Sequence, residues 1–350
     1  MLFQSRVFRL AKDTEHPEED QDAYGLNPER GIAVVADGVA SAIFSRQWAI
    51  ILAEATIADT PDPRDKDVFA QWLALRRQAW SEQIDVTGLA WFQKAKLPLG
   101  AFSTLLFVCT EPVEEPREGA FGAHRLQGFA IGDSCLFHVR DGELVRTFPI
   151  QTSAELEDDP VVLGSVDLGR DQLMEFATLD ELCYPDDLIV LCTDAVAEWA
   201  LRRIESGNPP DWERYWGMTE LQWQEEVVGL RDRREMRYDD ATLVLLCVAP
   251  QGVEIEPPRE EPISTTPEQE TVPSGEEPIV AEIVDSEPQV EPDDDTTAAE
   301  PDDWKGKLKS AGEQVADGIE LASEQMVRGL KKWKEKAVRK YREKFKRDDE

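Results

Sequence analysis

The chain has 350 residues, of which 41% are hydrophobic, so it is long enough to bury one large core or two ordinary ones. Its formal net charge is −34, which disfavours nucleic acid as a partner and favours divalent cations or basic proteins. The charge is uneven. Residues 251–303 carry 18 acids and one arginine, residues 304–350 carry 14 bases and 9 acids, and −22 remains for residues 1–250.

The five cysteines are scattered without a CxxC pair, and the three histidines are far apart, so a zinc site of thiolates or imidazoles is not expected. The cysteines are interpreted as reduced core thiols. His138 is interpreted as a structural residue in a strand, and His16 and His124 as surface residues. The N-terminus lacks the apolar core of a signal peptide, and no run of 18 apolar residues occurs. These features predict a cytoplasmic protein.

The first strong structural signal lies between residues 31 and 58. The apolar and partly β-branched run 32–36 predicts a buried strand, and Asp37-Gly38 follows it directly. Ser41 is the predicted cap of a helix over 42–58, where apolar residues recur at steps of three and four. A carboxylate and an approachable backbone at a strand end suit a hard cation, although an ordinary Asp-Gly turn fits the same residues.

The remaining patterns alternate between short buried runs and amphipathic stretches. Further strands are predicted at 6–10, 100–109, 127–139, 187–193 and 241–248, and helical patterns at 67–97, after Asp194, and at 212–230. Asp141-Gly142 predicts a tight hairpin turn. Because strands outnumber helices and hairpins join several of them, the pattern predicts an α+β domain with antiparallel sheets and helices outside.

Composition divides the chain into three parts. Residues 1–250 form the predicted folded domain, and the Pro- and Glu-rich segment 251–303 is predicted to be a disordered, extended linker. Residues 304–350 predict a basic amphipathic helix. That helix suits docking to an anionic membrane surface, which would make the protein peripheral there. It equally suits docking to a partner protein, self-association, folding back on the acidic domain, or simple solvation.

Four acids stand at or near the ends of predicted strands: Asp22, Asp37, Asp194 and Asp239. If the strands lie side by side, these carboxylates share one cleft and repel each other, and divalent cations remove that cost. Carboxylate and water ligands favour Mg²⁺ or Mn²⁺ over zinc. The alternative is that the acids are ordinary exposed strand ends.

Six motifs in order resemble those of the metal-dependent type 2C (PPM-type) serine/threonine protein phosphatases, in a divergent form similar to bacterial members. The resemblance covers about residues 18–248. The motifs are Gln21-Asp22-Ala23-Tyr24, Val34-Val35-Ala36-Asp37-Gly38, Gly100-Ala101-Phe102-Ser103-Thr104, Ile131-Gly132-Asp133-Ser134, Leu191-Cys192-Thr193-Asp194 and Asp239-Asp240-Ala241-Thr242.

The resemblance implies a four-layer αββα sandwich and a metal-dependent hydrolase that uses Mn²⁺ or Mg²⁺, with two or three ions. Asp37 would bridge two ions and the Gly38 carbonyl would bind one of them. Asp194 and Asp239 would hold the second ion, Asp22 would act through water on the first, and Asp133 would help to hold a third. Metal-activated water would then hydrolyse phosphoserine or phosphothreonine on proteins. The implied partners are a phosphorylated protein substrate and a Ser/Thr kinase acting on the same targets in a signalling pathway.

The chain departs from the family pattern at several positions, which include Val39-Ala40-Ser41 after the bridging motif and a short flap region at about 150–168. The arginine that grips the substrate phosphate, five residues before Asp22, is Pro17 here, and Lys12 or Arg9 could take its role. Ala195 stands where a glycine is usual, and Asp240 where an asparagine is usual. These departures leave a second function open, a catalytically weak phosphatase-like module that binds phosphoproteins or a partner kinase.

Overall fold

The computed structural model describes residues 1–113, 122–156, 160–168 and 176–250. The segments 251–303 and 304–350 lie outside the described residues. The predicted acidic linker and the predicted basic helix therefore stay predictions.

Ten strands form two five-stranded sheets in which all neighbours are antiparallel. The first sheet contains β1 (Phe3–Leu10), β7 (Cys135–Arg140), β8 (Glu143–Phe148), β11 (Leu188–Cys192) and β12 (Ala241–Val248), in the order β1-β12-β11-β7-β8. The second contains β2 (Asp22–Asn27), β3 (Ile32–Asp37), β5 (Leu105–Pro112), β6 (His124–Ile131) and β10 (Ala177–Cys183), in the order β10-β6-β5-β3-β2. A short pair, β4 (Phe102–Ser103) and β9 (Leu163–Gly164), forms a third, two-stranded sheet.

The described helices are α1 (Ser45–Ala58), α2 (Lys66–Gln83), α3 (Trp91–Lys96), α4 (Asp194–Glu205), α5 (Trp212–Trp216) and α6 (Glu220–Asp232). All except α3, which has no buried residue, pack on the outer faces of the two sheets. Trp48 of α1 and Leu73 of α2 pack in the core of the second sheet. Trp199, Trp212 and Trp223 bring α4, α5 and α6 against the first sheet. A third core fills the space between the sheets. The predicted αββα sandwich is confirmed.

Strand β3 is apolar without interruption because both of its faces are buried. Ile32, Val34 and Ala36 belong to the core beneath the helices, whereas Ala33 and Val35 belong to the core between the sheets. Since side chains alternate along a strand, Asp37 follows on the inter-sheet side. The strand therefore directs its terminal carboxylate into the gap between the two sheets.

Several predicted element boundaries are wrong. The helix predicted over 212–230 is divided into α5 and α6, and the strand predicted over 100–109 is divided into β4 and β5. The run 127–139 is not one strand: the chain leaves β6 at Ile131, turns at Gly132, and enters the other sheet as β7. Gly132 has φ +99°, and a Cβ there would lie 2.5 Å from Thr104 Cγ2, so a glycine is needed at this crossing. The helix predicted from 42 begins instead at Ser45, after Phe44 in the left-handed conformation with φ 56°.

Several smaller predictions can be compared directly with the structure. The Asp141-Gly142 hairpin joins β7 to β8, with φ of 52° and 76° at its two residues. Cys135, Cys183 and Cys192 are buried free thiols, as predicted, whereas Cys109 and Cys247 are free thiols that are only partly buried. The surface assignment of His124 is wrong, because its side chain is 0% exposed, whereas His16 is exposed.

Within the ranges that the structure describes, no helix combines the length and the apolar character needed to cross a bilayer.

Candidate metal centre

The directions of the strands bring the predicted acids to one end of the sandwich. Strand β3 ends at Asp37, and its antiparallel neighbour β2 begins at Asp22, so these two residues are direct cross-strand partners. In the other sheet β11 ends just before Asp194, while β7 and β12 run the opposite way and begin just after Asp133 and Asp239. The fold thus gathers at one edge residues that are up to 217 positions apart in the sequence.

Asp22 and Asp37 form the buried centre of this edge. Asp22 is 2% exposed, and its Oδ2 accepts a hydrogen bond of 2.9 Å from Thr193 Oγ1 of the opposite sheet. Among the described residues, no donor reaches its Oδ1. Burial, then the charges of Asp37 and Asp20, raises the pKa of Asp22 well above its usual value. The pKa of Asp37 is raised in the same way, first by burial and then by Asp133 and Asp239. The pair therefore requires protons or a cation.

A chain of hydrogen bonds fixes the Asp133 loop to the end of β3. The backbone N–H of Asp37 donates to Thr104 Oγ1 over 3.0 Å, and Thr104 N–H donates to the Asp37 carbonyl over 2.9 Å. Thr104 Oγ1 lies 2.8 Å from Ser134 Oγ, which completes the link to the neighbour of Asp133. Asp133 is 4% exposed, and burial raises its pKa to about 6 although the Arg237 charge acts in the opposite direction.

Gly38 is required by a close approach of three chain segments. Its N–H donates to the Gln21 carbonyl over 3.2 Å. A Cβ on Gly38 would lie 2.8 Å from Gln21 O and 2.9 Å from Ser45 O, closer than real Cβ atoms come. The absence of a side chain therefore allows the start of β2 and the start of α1 to meet beside Asp37.

Asp240 organises the segment between β1 and β2. Its Oδ1 accepts a hydrogen bond of 2.6 Å from Lys12 N–H, and its Oδ2 accepts one of 2.9 Å from Gln21 N–H. In an asparagine an NH2 group, which is a donor, would replace one of the two oxygens that accept these bonds. The departure from the family pattern at this position therefore has a structural role. The adjacent Asp239 is 36% exposed in its side chain, and its Oδ1 accepts a 3.3 Å bond from Lys12 Nζ.

Arg231 of α6 fixes the backbone of the segment that contains Asp239. Its side chain is buried, and its guanidinium donates to the carbonyls of Leu10, Ala11 and Asp239. Tyr238 covers the same guanidinium, with its ring centroid 5.3 Å from the central carbon. This contact connects the end of β1 to the loop that precedes β12.

Arg237 is a cation among the acids that the sequence analysis did not identify. Its guanidinium forms an ion pair with Asp194, the first residue of α4, and its Nε lies 3.9 Å from Glu198 Oε2. The charge of Arg237 also opposes the upward pKa shifts of Asp37 and Asp133. Arg237 lies close to Asp239 in the sequence, but the charged run 231–240 contains several arginines, and no sequence pattern distinguishes Arg237 from the others.

Asp20 and Arg46 were also missed, and Arg9, which the sequence analysis offered only as a phosphate-binding residue, contacts Asp20 instead. Arg9 of β1 pairs with Asp20 and donates to the Asp22 carbonyl over 2.8 Å, and Arg46 of α1 donates to the Asp20 carbonyl. Asp20 is 6% exposed, and burial raises its pKa. It stands in the acidic run 18–22, where composition alone does not indicate which acid is buried.

The donor set fits a hard divalent cation, but the side chains are not arranged around one. In the described part of the chain, no three His, Cys, Asp or Glu side chains are grouped so as to hold a metal ion. Asp194 faces Arg237 and Asp239 faces Lys12, which accounts for the open arrangement. The unpaired Asp22 Oδ1 and the mutual repulsion of Asp22 and Asp37 are what a cation would relieve. Only carboxylate and carbonyl oxygens are offered, which suits Mg²⁺ or Mn²⁺.

Comparisons with known proteins found similarity only among solved structures. No family model and no curated protein matches the chain. The serine/threonine phosphatase PstP/Ppp of Mycobacterium tuberculosis is 14% identical, covers 71% of this chain and 100% of its own, and gives a TM-score of 0.45. PppA, a regulatory component of T6SS in Pseudomonas aeruginosa, is 16% identical over 71% of this chain and 98% of its own, with a TM-score of 0.44.

A structure of the PstP catalytic domain with two manganese ions has 14% identity, covers 71% of this chain and 99% of its own, and gives a TM-score of 0.44. Both PstP structures are described as serine/threonine phosphatases, and a further similar structure, MsPP from Mycobacterium smegmatis, is described as a PPM Ser-Thr phosphatase. At these identities and TM-scores, no residue's role can be transferred from them to this chain.

Proposed function

We propose that this chain is a metal-dependent serine/threonine protein phosphatase of the PPM type. The observation that carries the proposal is the buried Asp22–Asp37 pair, two cross-strand carboxylates with raised pKa values at the edge where Asp133, Asp194 and Asp239 also lie. Such a cluster is costly without a cation, and the motifs that build it follow the order of that family.

The proposed ligands are Asp37, with the Gly38 carbonyl, and Asp22, Asp133, Asp194 and Asp239. When bound, Mn²⁺ or Mg²⁺ lowers the pKa of coordinated water and neutralises phosphate charge. The protein's own part is to hold the carboxylates rigidly. Thr104 fixes the backbone of Asp37, Thr193 orients Asp22, and Arg231 holds the backbone of Asp239.

Lys12 is the residue proposed to bind the substrate phosphate in place of the missing arginine at Pro17. Its ammonium group lies 3.3 Å from Asp239 Oδ1, and its side chain is 45% exposed, so it is both near the acids and open to solvent. Arg9 suits this role less well, because it is bound to Asp20 and the Asp22 carbonyl. The substrate would be a phosphorylated protein, and a Ser/Thr kinase acting on the same protein would be the opposing enzyme.

The second candidate is a phosphatase-like module that binds phosphoproteins or a kinase with little turnover. Two observations favour it: Pro17 stands where the phosphate-gripping arginine is expected, and Asp194 is already paired with Arg237.

Manganese-dependent release of phosphate from a phosphothreonine peptide separates the two functions. We expect turnover in the full-length chain that is lost in Asp37→Asn and Asp239→Asn. Lys12→Met should raise KM for the peptide more than it lowers kcat. Absence of turnover together with measurable binding of the phosphopeptide would support the module instead.

A further inference from the structure

A basic side chain of the protein, that of Arg237, lies beside Asp194, one of the two acids proposed to hold the second metal ion. Arg237 pairs with Asp194, and it reaches toward Glu198 one helical turn further along α4. Its side chain is 34% exposed, so the guanidinium is partly shielded at the edge of the site. Asp194 and Glu198 are both on the side of α4 that faces the loop between α6 and β12, and this loop carries both Arg237 and Asp239.

The position of Arg237 has an electrostatic consequence. A divalent ion bound to Asp194 and Asp239 would lie beside a guanidinium that already uses the Asp194 carboxylate. A divalent ion and a guanidinium that share one carboxylate repel each other strongly in a partly buried site. Asp194 also cannot turn toward an ion while it remains in the ion pair. In the part of the chain that the structure describes, no base forms an ion pair with Asp22 or Asp37: the nearby arginines contact Asp20 and backbone carbonyls.

We propose that Arg237 is a built-in counter-ion that occupies the place of a second divalent ion, so that this ion binds only when Arg237 leaves Asp194. The inference rests on the proposed metal site, and it concerns metal occupancy, not turnover. The first ion binds at Asp22 and Asp37, with which Arg237 forms no ion pair and on which it acts only through its more distant charge. Occupancy of the second position is then set by competition between the ion and the guanidinium.

The test is a calorimetric titration of the full-length, chelator-treated protein with Mn²⁺ at fixed ionic strength. We expect one tighter and one weaker ion in the unmodified chain. Arg237→Gln should tighten the weaker ion about tenfold or more, because it removes both the repulsion and the competing pair. Arg237→Lys retains the charge and should gain much less. Asp194→Asn added to Arg237→Gln should abolish the gain.

Arg233→Gln is the matched control, since it removes the same charge from the same loop. Its side chain is 57% exposed and pairs with Glu235, away from the acid cluster. Unchanged or weaker binding of the second ion in Arg237→Gln overturns the proposal, as does an equal gain in Arg233→Gln or Arg237→Lys. A gain in metal binding without phosphatase turnover leaves this inference standing and removes the proposed activity. Phosphatase turnover without the gain in metal binding overturns this inference and leaves the proposed activity standing.

Discussion

Asp22 and Asp37 face each other across a pair of hydrogen-bonded strands, and neither has a basic side chain as its direct hydrogen-bond partner among the described residues. Each pKa is raised by burial and by neighbouring acids. A carboxyl group whose pKa is higher in the folded state than in the unfolded state destabilises the fold once the pH exceeds its unfolded value. At neutral pH the metal-free protein therefore carries a local electrostatic cost at this pair.

Asp37→Asn should consequently have opposite effects in the absence and presence of metal. Without metal, we expect the variant to be more stable than the unmodified protein at pH 7.5 by about 1–2 kcal/mol, because one repelling charge is removed. With Mn²⁺, the unmodified protein should gain about 2.7 kcal/mol at 100 times the Kd, and the variant should gain far less. Urea unfolding with and without Mn²⁺ measures both effects. The exposed turn variant Asp141→Asn is the control, and equal metal stabilisation of all three proteins would contradict the prediction.

Gly38→Ala tests the packing at the same strand end. The added methyl group would lie 2.8 Å from Gln21 O and 2.9 Å from Ser45 O, both backbone atoms that cannot move independently. We expect a loss of about 1–3 kcal/mol in the free energy of unfolding. Gly217→Ala is the matched control, since its nearest contact is an ordinary 3.5 Å from Arg214 O. Equal stability of the two variants in urea would argue against a close approach at Gly38.

Sequence reasoning at the residue scale found the acids but not the groups that pair with them. Asp37 and Asp194 were detectable because each follows an apolar run that predicts a buried strand. Arg237 and Arg231 lie in a charged loop and on an amphipathic helix, where arginine is ordinary, and only the folded chain brings them to Asp194 and Asp239. Their roles depend on long-range contacts that leave no local periodicity.

At the scale of elements, errors occurred where the chain changes sheets. The ends of β6 and β7 are mainly apolar at 129–131 and 135–139, and only Gly132-Asp133-Ser134 separates them, so the hydrophobic pattern did not show that the two strands belong to different sheets. The start of α1 was also misplaced. Ser45 Oγ donates to Val39 O, so the intervening residues form a tight loop before the helix begins. Turn geometry of this kind depends on the backbone of Gly38 and its neighbours.

The contacts of Arg231 between α6 and the loop before β12 predict how strongly this helix contributes to the stability of the fold. Arg231→Met keeps a long apolar stem but leaves the carbonyls of Leu10, Ala11 and Asp239 without their donor. We expect a loss of about 2–3 kcal/mol in the free energy of unfolding, because bonds from a charged donor are removed in a buried place. Mn²⁺ binding should weaken as well, since the Asp239 backbone loses its support. Arg233→Met, on the exposed side of the same joint, should leave both unfolding in urea and Mn²⁺ binding nearly unchanged.

At the scale of the described domain, the two ends of the sandwich differ in how their buried charges are balanced. At one end, the buried acids Asp22 and Asp37 have no basic hydrogen-bond partner among the described residues. At the other end, His138 of β7 is 0% exposed and lies between two carboxylates, with Nδ1 2.8 Å from Glu181 and Nε2 2.8 Å from Asp187. Since both ring nitrogens face acceptors, both carry protons and the ring is an imidazolium. Glu181 belongs to the second sheet, so this cluster connects the two sheets by an internal charge pair.

The pKa values of the His138 cluster predict how the joining of the sheets depends on pH. Burial alone would lower the pKa of His138, but the hydrogen bonds to Asp187 and Glu181 raise it above its usual 6.5. Asp187 is also buried, yet His138 and Arg140 lower its pKa to about 2, and His138 lowers that of Glu181. The imidazolium therefore stabilises the fold fully below pH 6.5, and this contribution is lost as the pH rises through the raised value. The carboxylates contribute above their unfolded pKa values, and their contribution is lost as the pH falls toward about 2.

His138→Gln should consequently be most destabilising between about pH 4.5 and 6.5, where all three groups of the cluster are charged. We expect a loss of about 3 kcal/mol in that window, since breaking a buried charge pair leaves two carboxylates without their shared partner. Arg140 and Arg146 still contact these carboxylates from the partly exposed side, so the variant should fold. Urea unfolding at pH 5.5 and pH 9, with the exposed His16→Gln as control, measures the difference. A loss that stays constant or grows at pH 9 would show that the ring acts only by filling space, because a charged imidazolium must lose its advantage once it is deprotonated.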